Sequence, residues 1–389
     1  MLPLWVTLLL GLGAVVVLLY QGVAIVLAFQ LTRFGPAPPD PSSLGLGRVS
    51  VVIAARNEEA DIGPTLDTLL AQDYPDLEVV VVDGGSTDGT RAAIDARGPR
   101  VRCLVEPPLP EGWVGKSWAC WTGANATSGP WLLFLDADVR THPSAIRTVL
   151  AWAKRENADL ATVGVQVEMV GFWERLILPL FIQRVLMYYR PPHMDRPGRR
   201  TAMANGQFWL TRRTAYEAVG GHAAVRAHLV EDVAIACRYR DAGFRMRFAW
   251  TPSLGRTRMY RDRHEMFEGL LKNNHGIEFS AARQVGLLAS LVGLFLLPLG
   301  LLPLGVVTGS VVLAGLGAFL YVALFGKHVA FSRAVGAPAV YGLLYPVAVG
   351  WYLVLTTTSL VRGLRHRPVT WKGRAYPLEG QPSERLSGR

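Results

Sequence analysis

Cysteine is scarce in this sequence: its 389 residues include only Cys103, Cys120 and Cys237, and their spacing forms no pair. This argues against a disulfide framework and a cysteine zinc site, and it fits a reducing compartment. Lysine is scarce too, since only five of the 40 basic residues are lysine and arginine carries the net charge of +10. Many arginines lie beside apolar stretches, as in segments that contact anionic lipid. We therefore expect a membrane partner and no nucleic-acid partner.

Charge is absent altogether from three long stretches of the chain, residues 1–32, 284–326 and 334–361. Each exceeds the roughly 20 apolar residues that cross a bilayer core. We predict a transmembrane anchor at 1–32 and a transmembrane region of two or three helices at 284–361, interrupted by Pro298 and Pro303. The alternative is a set of buried helices in a soluble protein. The first stretch lacks the basic start of a signal peptide and is too long for one, which favours a retained anchor.

Between these stretches the composition becomes that of a globular domain. A Pro-rich linker at 33–47 precedes a domain predicted at 48–265. Apolar runs at 49–55, 78–83 and 131–136, of which the first two are rich in Val, alternate with helical patterns, which predicts an α/β fold with a mostly parallel, Rossmann-like sheet. In such sheets ligands bind at the carboxyl ends of the strands.

Three further segments are too polar to span a membrane. Residues 171–190 mix aromatic, aliphatic and charged side chains, which predicts an interfacial helix broken near Pro179. A helix packed on the globular core is the alternative. We predict a second interfacial helix at 266–283 and a basic tail at 362–389 that is cytoplasmic or juxtamembrane.

Acidic residues follow each of the three predicted strands. The first strand leads into Ala55-Arg56-Asn57-Glu58, the second ends at Asp83 in a Gly-rich turn, and the third leads into Asp136-Ala137-Asp138. Carboxylates gathered at one sheet edge need a compensating cation or donor group. Two carboxylates one residue apart can hold a hard divalent ion and leave coordination sites for diphosphate oxygens. The sequence therefore indicates a site for a hard divalent ion.

These motifs resemble a known family when taken in order. Val-Val-Ile-Ala-Ala-Arg-Asn-Glu-Glu, Val-Asp-Gly-Gly-Ser-Thr-Asp-Gly-Thr, the pair Asp136 and Asp138, and Glu231-Asp232 are similar to family 2 glycosyltransferases of the GT-A fold. The segments Gly112-Trp-Val-Gly-Lys-Ser-Trp-Ala119, Met259-Tyr-Arg and Trp371-Lys-Gly-Arg resemble the membrane-bound branch that includes carotenoid- and hopanoid-associated glycosyltransferases. Ceramide glucosyltransferases are more distantly similar.

The resemblance implies roles on the donor side of a site. It assigns Asp138, assisted by Asp136, to a Mg²⁺ or Mn²⁺ ion that bridges a diphosphate. It assigns the uridine of a UDP-sugar to the first two strand ends, and the diphosphate to Lys116, for which the alternative is a solvated charge at a helix start. In place of the family's downstream Gln-x-x-Arg-Trp motif, Lys272 or His275 is expected to contact the diphosphate, and the alternative for both is contact with lipid headgroups. The predicted donor-binding residues are Ala55, Arg56, Glu58, Asp83, Lys116, Asp136 and Lys272.

On the acceptor side, the resemblance makes Asp232 the general base, with Glu231 in support. The alternative for this pair is acidic residues that complement the dipole of a predicted helix at 233–240. An inverting displacement needs one base opposite the leaving diphosphate. The predicted acceptor-side residues are Asn205, Gly206, Gln207 and His275.

Two departures from the family pattern carry information. Gly84 stands where the family usually has a second aspartate, so Asp83 must act without that neighbour. The Gln-x-x-Arg-Trp motif of processive members is absent, which argues against polysaccharide synthesis. We expect inverting transfer of one sugar, glucose by resemblance, from a UDP-sugar to a carotenoid, hopanoid or sphingoid-type lipid. The alternatives are transfer to a polyprenyl phosphate or polysaccharide, and a non-enzymatic nucleotide-binding or lipid scaffold.

The expected location is the inner or plasma membrane, with several passes and a cytoplasmic catalytic domain. Arg33 follows the first span, which places the domain inside by the positive-inside rule. The side on which the tail ends depends on whether the middle stretch crosses twice. We expect no obligatory protein partner.

Overall fold

The computed structural model describes residues 3–29, 31, 33, 35, 47–190, 202–277 and 280–376. The chain divides into two compact units. The first comprises 1–30, 169–188 and 260–369, and the second comprises 31–168, 189–259 and 370–389. Most of the predicted linker at 33–47 and the end of the predicted tail lie outside the described residues.

The second unit contains almost all of the β-structure. Its strands are β1 (Val49–Ala55), β2 (Leu77–Asp83), β3 (Val101–Val105), β4 (Trp131–Leu135), β5 (Val139–Thr141), β6 (Leu160–Gly164), β7 (Gln166–Val167), β8 (Phe208–Arg212), β9 (Met246–Trp250), β10 (Gly255–Thr257), β11 (Val369–Trp371) and β12 (Arg374–Tyr376). Seven of them form one sheet in the order β3-β2-β1-β4-β8-β6-β9. Only β8 runs antiparallel to its neighbours in this sheet. The predicted α/β fold with a mostly parallel sheet is confirmed.

Helices cover both faces of this sheet, which explains the uninterrupted Val runs. In chain order, the α-helices of the described residues in both units are α1 (Leu4–Phe29), α2 (Ile62–Leu70), α3 (Thr90–Asp95), α4 (Gly115–Asn125), α5 (Ala145–Arg155), α6 (Phe172–Tyr189), α7 (Arg213–Ala218), α8 (Glu231–Asp241), α9 (Arg263–Ile277), α10 (Ala281–Leu291), α11 (Leu297–Thr308), α12 (Val311–Ala334), α13 (Val340–Leu343) and α14 (Tyr345–Leu364). Along β2, Val79 and Val81 pack in the cluster that contains α2 and α5, while Val80 and Val82 pack against Ala119 of α4. A strand buried on both faces needs no polar alternation.

Close packing of α4 on the sheet depends on one glycine. A Cβ placed on Gly123 would lie 2.4 Å from Cγ1 of Val52 in β1 and 3.2 Å from Cγ2 of Val82 in β2. The helix can therefore approach the sheet closely, and this fixes the position of its first turn, which carries Lys116.

The first unit is helical and comprises α1, α6 and α9 to α14. Two of its helices, α12 and α14, are long and apolar enough to cross a membrane. Large apolar side chains point outward from this unit, and Val307 and Val311 are each 85 % exposed. Inside it, Gln284 of α10 accepts a hydrogen bond from Asn274 of α9 (3.1 Å) and donates one to Ser359 of α14 (3.0 Å).

The helical segments differ from the predictions in three places. Pro179 lies inside one continuous helix, α6, and 169–188 belongs to the helical unit, which interrupts the predicted domain at 48–265. The interfacial helix predicted at 266–283 is two helices, because α9 ends at Ile277 and Ser280 caps a new one. Pro298 and Pro303 fall within α11, and the helix ends instead at Gly309, whose φ of 66° terminates it. A π-helical segment at Val292–Leu296 precedes α11 and accommodates the first proline.

Candidate active site

The ends of β1 and β2 are tied together by hydrogen bonds, and this edge carries the predicted donor-binding residues. The Arg56 guanidinium donates to the carbonyl oxygens of Gly84 and Gly85, and the Gly84 N–H donates to the Ala55 carbonyl (2.8 Å). The Asp83 carboxylate accepts from the backbone N–H (3.0 Å) and hydroxyl (2.6 Å) of Ser86. Asp83 is thus held in place by its own turn.

A second group of predicted residues meets around Lys116, at the start of α4. Its Nζ lies 2.7 Å from Oδ1 of Asp136, after β4, and 2.9 Å from Oε1 of Glu231, at the start of α8. The Gly206 N–H donates to Oδ2 of Asp232 at 2.8 Å. The fold therefore brings together residues more than 110 positions apart in the chain, from 116 to 232.

The charge balance of this group explains its pKa shifts. Burial lowers the pKa of Lys116, but Asp136, Glu231 and Asp232 outweigh that effect and raise the pKa well above its ordinary value. Burial and the neighbouring Glu231 raise the pKa of Asp232 to about 6, against the opposing effect of Lys116 and two backbone N–H groups. A carboxylate with such a pKa is a suitable proton acceptor near neutral pH.

Asp138 is half-buried beside Asp136 and is oriented by Thr257 of β10, whose hydroxyl donates to Oδ2 at 2.7 Å. Burial and then the charge of Asp136 raise the pKa of Asp138 to about 7. A divalent cation would relieve this repulsion, and the oxygen ligands suit Mg²⁺ or Mn²⁺. Within the described residues, no group of three His, Cys, Asp or Glu side chains could hold a metal ion alone. An ion on Asp136 and Asp138 would take its other ligands from the donor and water.

The predicted acceptor-side residues do not all have the same surroundings. The Asn205 amide donates to the Val163 carbonyl (3.0 Å) and to Gln207 Oε1 (3.1 Å), so this side chain shapes the loop before β8. Lys272 and His275 lie on α9 in the helical unit, where Nδ1 of His275 is 3.4 Å from the Ser359 hydroxyl. Their predicted roles at the diphosphate and the acceptor stay predictions.

Two basic residues of the predicted tail lie instead on the edge of the sheet. The hairpin of β11 and β12 brings the Lys372 ammonium into contact with the Glu58 carboxylate, and Arg374 lies 2.6 Å from Oε2 of Glu106. This differs from their interpretation as juxtamembrane charges, because counting charges after a span does not reveal a chain reversal. The sequence carries only a weak signal for this hairpin, namely two short runs, Val-Thr-Trp and Arg-Ala-Tyr, separated by two residues of which the second is glycine.

Comparison with known sequences identifies the fold that carries this site. The model of the family described as glycosyl transferase family 2 matches residues 50–220. Residues 50–220 are a family 2 glycosyltransferase domain. The chain is 29 % identical over 193 residues to 4,4'-diaponeurosporenoate glycosyltransferase of Staphylococcus aureus (strain USA300), which covers 49 % of this chain and 51 % of the relative. It thus spans about half the length of the curated relatives it matches.

A solved structure extends the likeness beyond the glycosyltransferase domain. The mannosyltransferase from Pyrobaculum calidifontis, solved in complex with GDP-Man and Mn²⁺, is 18 % identical, with a TM-score of 0.53 over 93 % of this chain and 96 % of that one. At this identity the likeness concerns the fold. The predicted family resemblance and GT-A fold are confirmed.

Proposed function

We propose that the protein transfers one glucose from UDP-glucose to a hydroxyl or carboxyl group of a carotenoid-type membrane lipid, with inversion at the anomeric carbon. The observation that carries the proposal is the junction of Asp136, Glu231 and Asp232 around Lys116 within a family 2 glycosyltransferase domain. A non-enzymatic scaffold has no need of a half-buried carboxylate, Asp232, whose pKa is raised beside the Lys116 ammonium.

In the proposed reaction Asp232 accepts the proton of the acceptor group. As that proton leaves, the acceptor oxygen forms a bond to the anomeric carbon of the sugar, and the bond from that carbon to the diphosphate oxygen breaks. The Gly206 N–H and the nearby Lys116 keep the Asp232 carboxylate oriented and largely ionised. UDP then leaves with the bonding electrons.

On the donor side, Arg56, Glu58 and Asp83 form the proposed nucleoside pocket, and Lys116 stands beside the proposed diphosphate position. Asp138 and Asp136 would hold Mg²⁺ or Mn²⁺. Such an ion neutralises charge that develops on the leaving diphosphate.

A lipid acceptor is supported by the helical unit and by the relative. Two helices, α12 and α14, have the length and hydropathy of a membrane span. Exposed valines in and next to these helices would face water if no membrane covered them. The S. aureus relative is named for a carotenoid-type acid. We place the protein in the cell membrane with the glycosyltransferase domain in the cytoplasm, where nucleotide sugars are made.

The test is sugar transfer from a panel of radiolabelled nucleotide sugars in membranes that contain the wild type, Asp232→Asn or Asp241→Asn. Asp241 lies at the other end of α8 and is exposed, so it is a matched control. We expect label in the organic phase with UDP-glucose, lost in Asp232→Asn and after chelation by EDTA, and retained in Asp241→Asn. Label confined to polymer would indicate a polysaccharide synthase, and no transfer from any donor would indicate the scaffold.

A further inference from the structure

The hairpin of β11 and β12 has an unusual residue at its tip. Its turn consists of Lys372 (φ 46°) and Gly373 (φ 74°), both in the left-handed region. A two-residue turn with two positive φ angles favours Asn-Gly, and a lysine at the first position is strained. Backbone strain of this kind clusters at active sites and at loops that hold ligands.

The tip of the hairpin lies against the proposed donor-binding residues. The Lys372 ammonium contacts the Glu58 carboxylate, and the Lys372 carbonyl accepts a hydrogen bond from Nε of Arg56 at 3.1 Å. Glu58 in turn is close enough to Asp136 and Asp138 for their charges to interact. The ammonium of Lys372 therefore stands beside a carboxylate after β1 that itself interacts with the carboxylates after β4.

Arg374 fastens the hairpin to the next part of the same edge. Its guanidinium donates to the Gly84 carbonyl after β2 (3.0 Å) and to Glu106 after β3 (2.6 Å). A Cβ on Gly115 would lie 2.0 Å from Nη1 of Arg374, so the absence of a side chain at the start of α4 makes room for the arginine. The hairpin thus covers the carboxyl ends of three adjacent parallel strands, where ligands of such sheets bind.

Lys116 and Lys372 differ in their partners. Lys116 is held by two carboxylates, Asp136 and Glu231. Lys372 has one carboxylate in contact, Glu58, and its side chain is 26 % exposed. A diphosphate that entered here would compete with a single carboxylate for the ammonium, and phosphate oxygens bind lysine strongly.

We propose that this hairpin is a wall of the nucleotide-sugar pocket and that Lys372 contacts the diphosphate of the donor, exchanging Glu58 for phosphate oxygens on binding. The proposal rests on the function proposed above and adds to it a donor-binding residue from the C-terminal end of the chain. Arg374 is a positioning residue that holds the hairpin in place.

The test compares three variants of the full chain. Lys372→Asn removes the ammonium but creates Asn-Gly, the favoured pair for this turn, so the hairpin is kept. Lys372→Arg retains the cation. Arg367→Asn removes an exposed charge five residues earlier in the chain and is the matched control. The first readout is the Kd for UDP in the presence of Mg²⁺, measured by calorimetry on the purified protein. The second readout is steady-state kinetics, in which the change in the donor KM is compared with the change in kcat.

We expect Lys372→Asn to weaken UDP binding and raise the donor KM about tenfold or more, as for the loss of a charge-assisted hydrogen bond. We expect kcat at saturating donor to change much less, Lys372→Arg to restore most of the affinity, and Arg367→Asn to match the wild type. UDP affinity unchanged in Lys372→Asn would overturn the proposal. Lys372-dependent UDP binding without sugar transfer would uphold the hairpin's role and refute the transferase function, so the two failures are distinguishable.

Discussion

Gly206 and Asp232 approach each other closely enough that the glycine can have no side chain without disturbing the carboxylate. The Gly206 N–H donates to Asp232 Oδ2 at 2.8 Å, and a Cβ on Gly206 would lie 3.0 Å from that oxygen and 3.1 Å from Lys116 Nζ. Both groups would have to move by a few tenths of an ångström or more. Gly206 therefore lies against both the proposed base, Asp232, and the Lys116 ammonium.

Gly206→Ala should reduce kcat by roughly 10- to 100-fold, because small displacements of reacting groups are costly in rate. We expect little change in thermal stability, since the strain is relieved by side-chain movement. The measurement is kcat at saturating donor, with Gly326→Ala as control because a Cβ on Gly326 meets nothing within 4 Å. Full activity in Gly206→Ala would show that the site tolerates the displacement.

Thr257→Val should weaken activation by the metal. The Thr257 hydroxyl donates to Asp138 Oδ2 at 2.7 Å, and loss of a hydrogen bond to a metal ligand typically costs about 10- to 100-fold in metal affinity. Thr257→Ser keeps the hydroxyl and should behave like the wild type. The measurement is activity against Mn²⁺ or Mg²⁺ concentration, and identical metal dependence in all three proteins would contradict the assignment of Asp138.

The pH profile should report the ionisation of Asp232. Its pKa is raised to about 6 by burial and by Glu231, and the carboxylate must be unprotonated to accept a proton. The kcat/KM for the acceptor should therefore be constant at neutral pH and fall as pH drops through about 6. Glu231→Gln removes a charge that raises this pKa, so the descending limb should move to lower pH. If the fall in kcat/KM at acidic pH were unchanged in Glu231→Gln, it would report the ionisation of a group other than Asp232.

Gly123→Ala should destabilise the glycosyltransferase domain, because the added methyl would lie 2.4 Å from Cγ1 of Val52. Overpacking of this kind costs about 1–3 kcal/mol. The measurement is the thermal unfolding midpoint of the purified protein. The double variant Val52→Ala/Gly123→Ala makes room for the methyl and should recover part of the loss. A double variant no more stable than Gly123→Ala would place the strain elsewhere.

The central strands and the first helix of the domain could be predicted because their signals are local. The Val runs that became β1 and β2 are buried on both faces, and the spacing of Ile62, Leu66 and Leu69 predicts the amphipathic helix α2. Three of the family motifs follow β1, β2 and β4, and the rule that ligands bind at the carboxyl ends of parallel strands predicts that they meet at one edge of the sheet. The fold class therefore agrees with what the sequence indicates, whereas the meeting of Asp136 and Glu231 at Lys116 required the three-dimensional structure.

The helices that contain proline and the contacts of the basic tail were harder to predict, because both depend on residues distant in the sequence. Pro179 and Pro303 are accommodated inside helices, which local propensity disfavours but packing within a helical unit tolerates. Thr257 and Lys372 act through partners 119 and 314 residues away, so no local pattern links them to Asp138 or Glu58. The glycines at 115, 123 and 206 make room for neighbours that only the three-dimensional structure identifies.

If the helical unit spans a membrane as proposed, the return of the hairpin of β11 and β12 to the sheet restricts the number of crossings to even values. The chain leaves the second unit after Met259 and rejoins it at Thr370. A chain that departs from one side of a bilayer and comes back to it must cross an even number of times, whatever its path in between. The two candidate spans, Val311–Ala334 and Tyr345–Leu364, satisfy this rule by themselves. A third crossing between Met259 and Thr370 would place Lys372 on the opposite side of the membrane from Glu58, the carboxylate that it contacts.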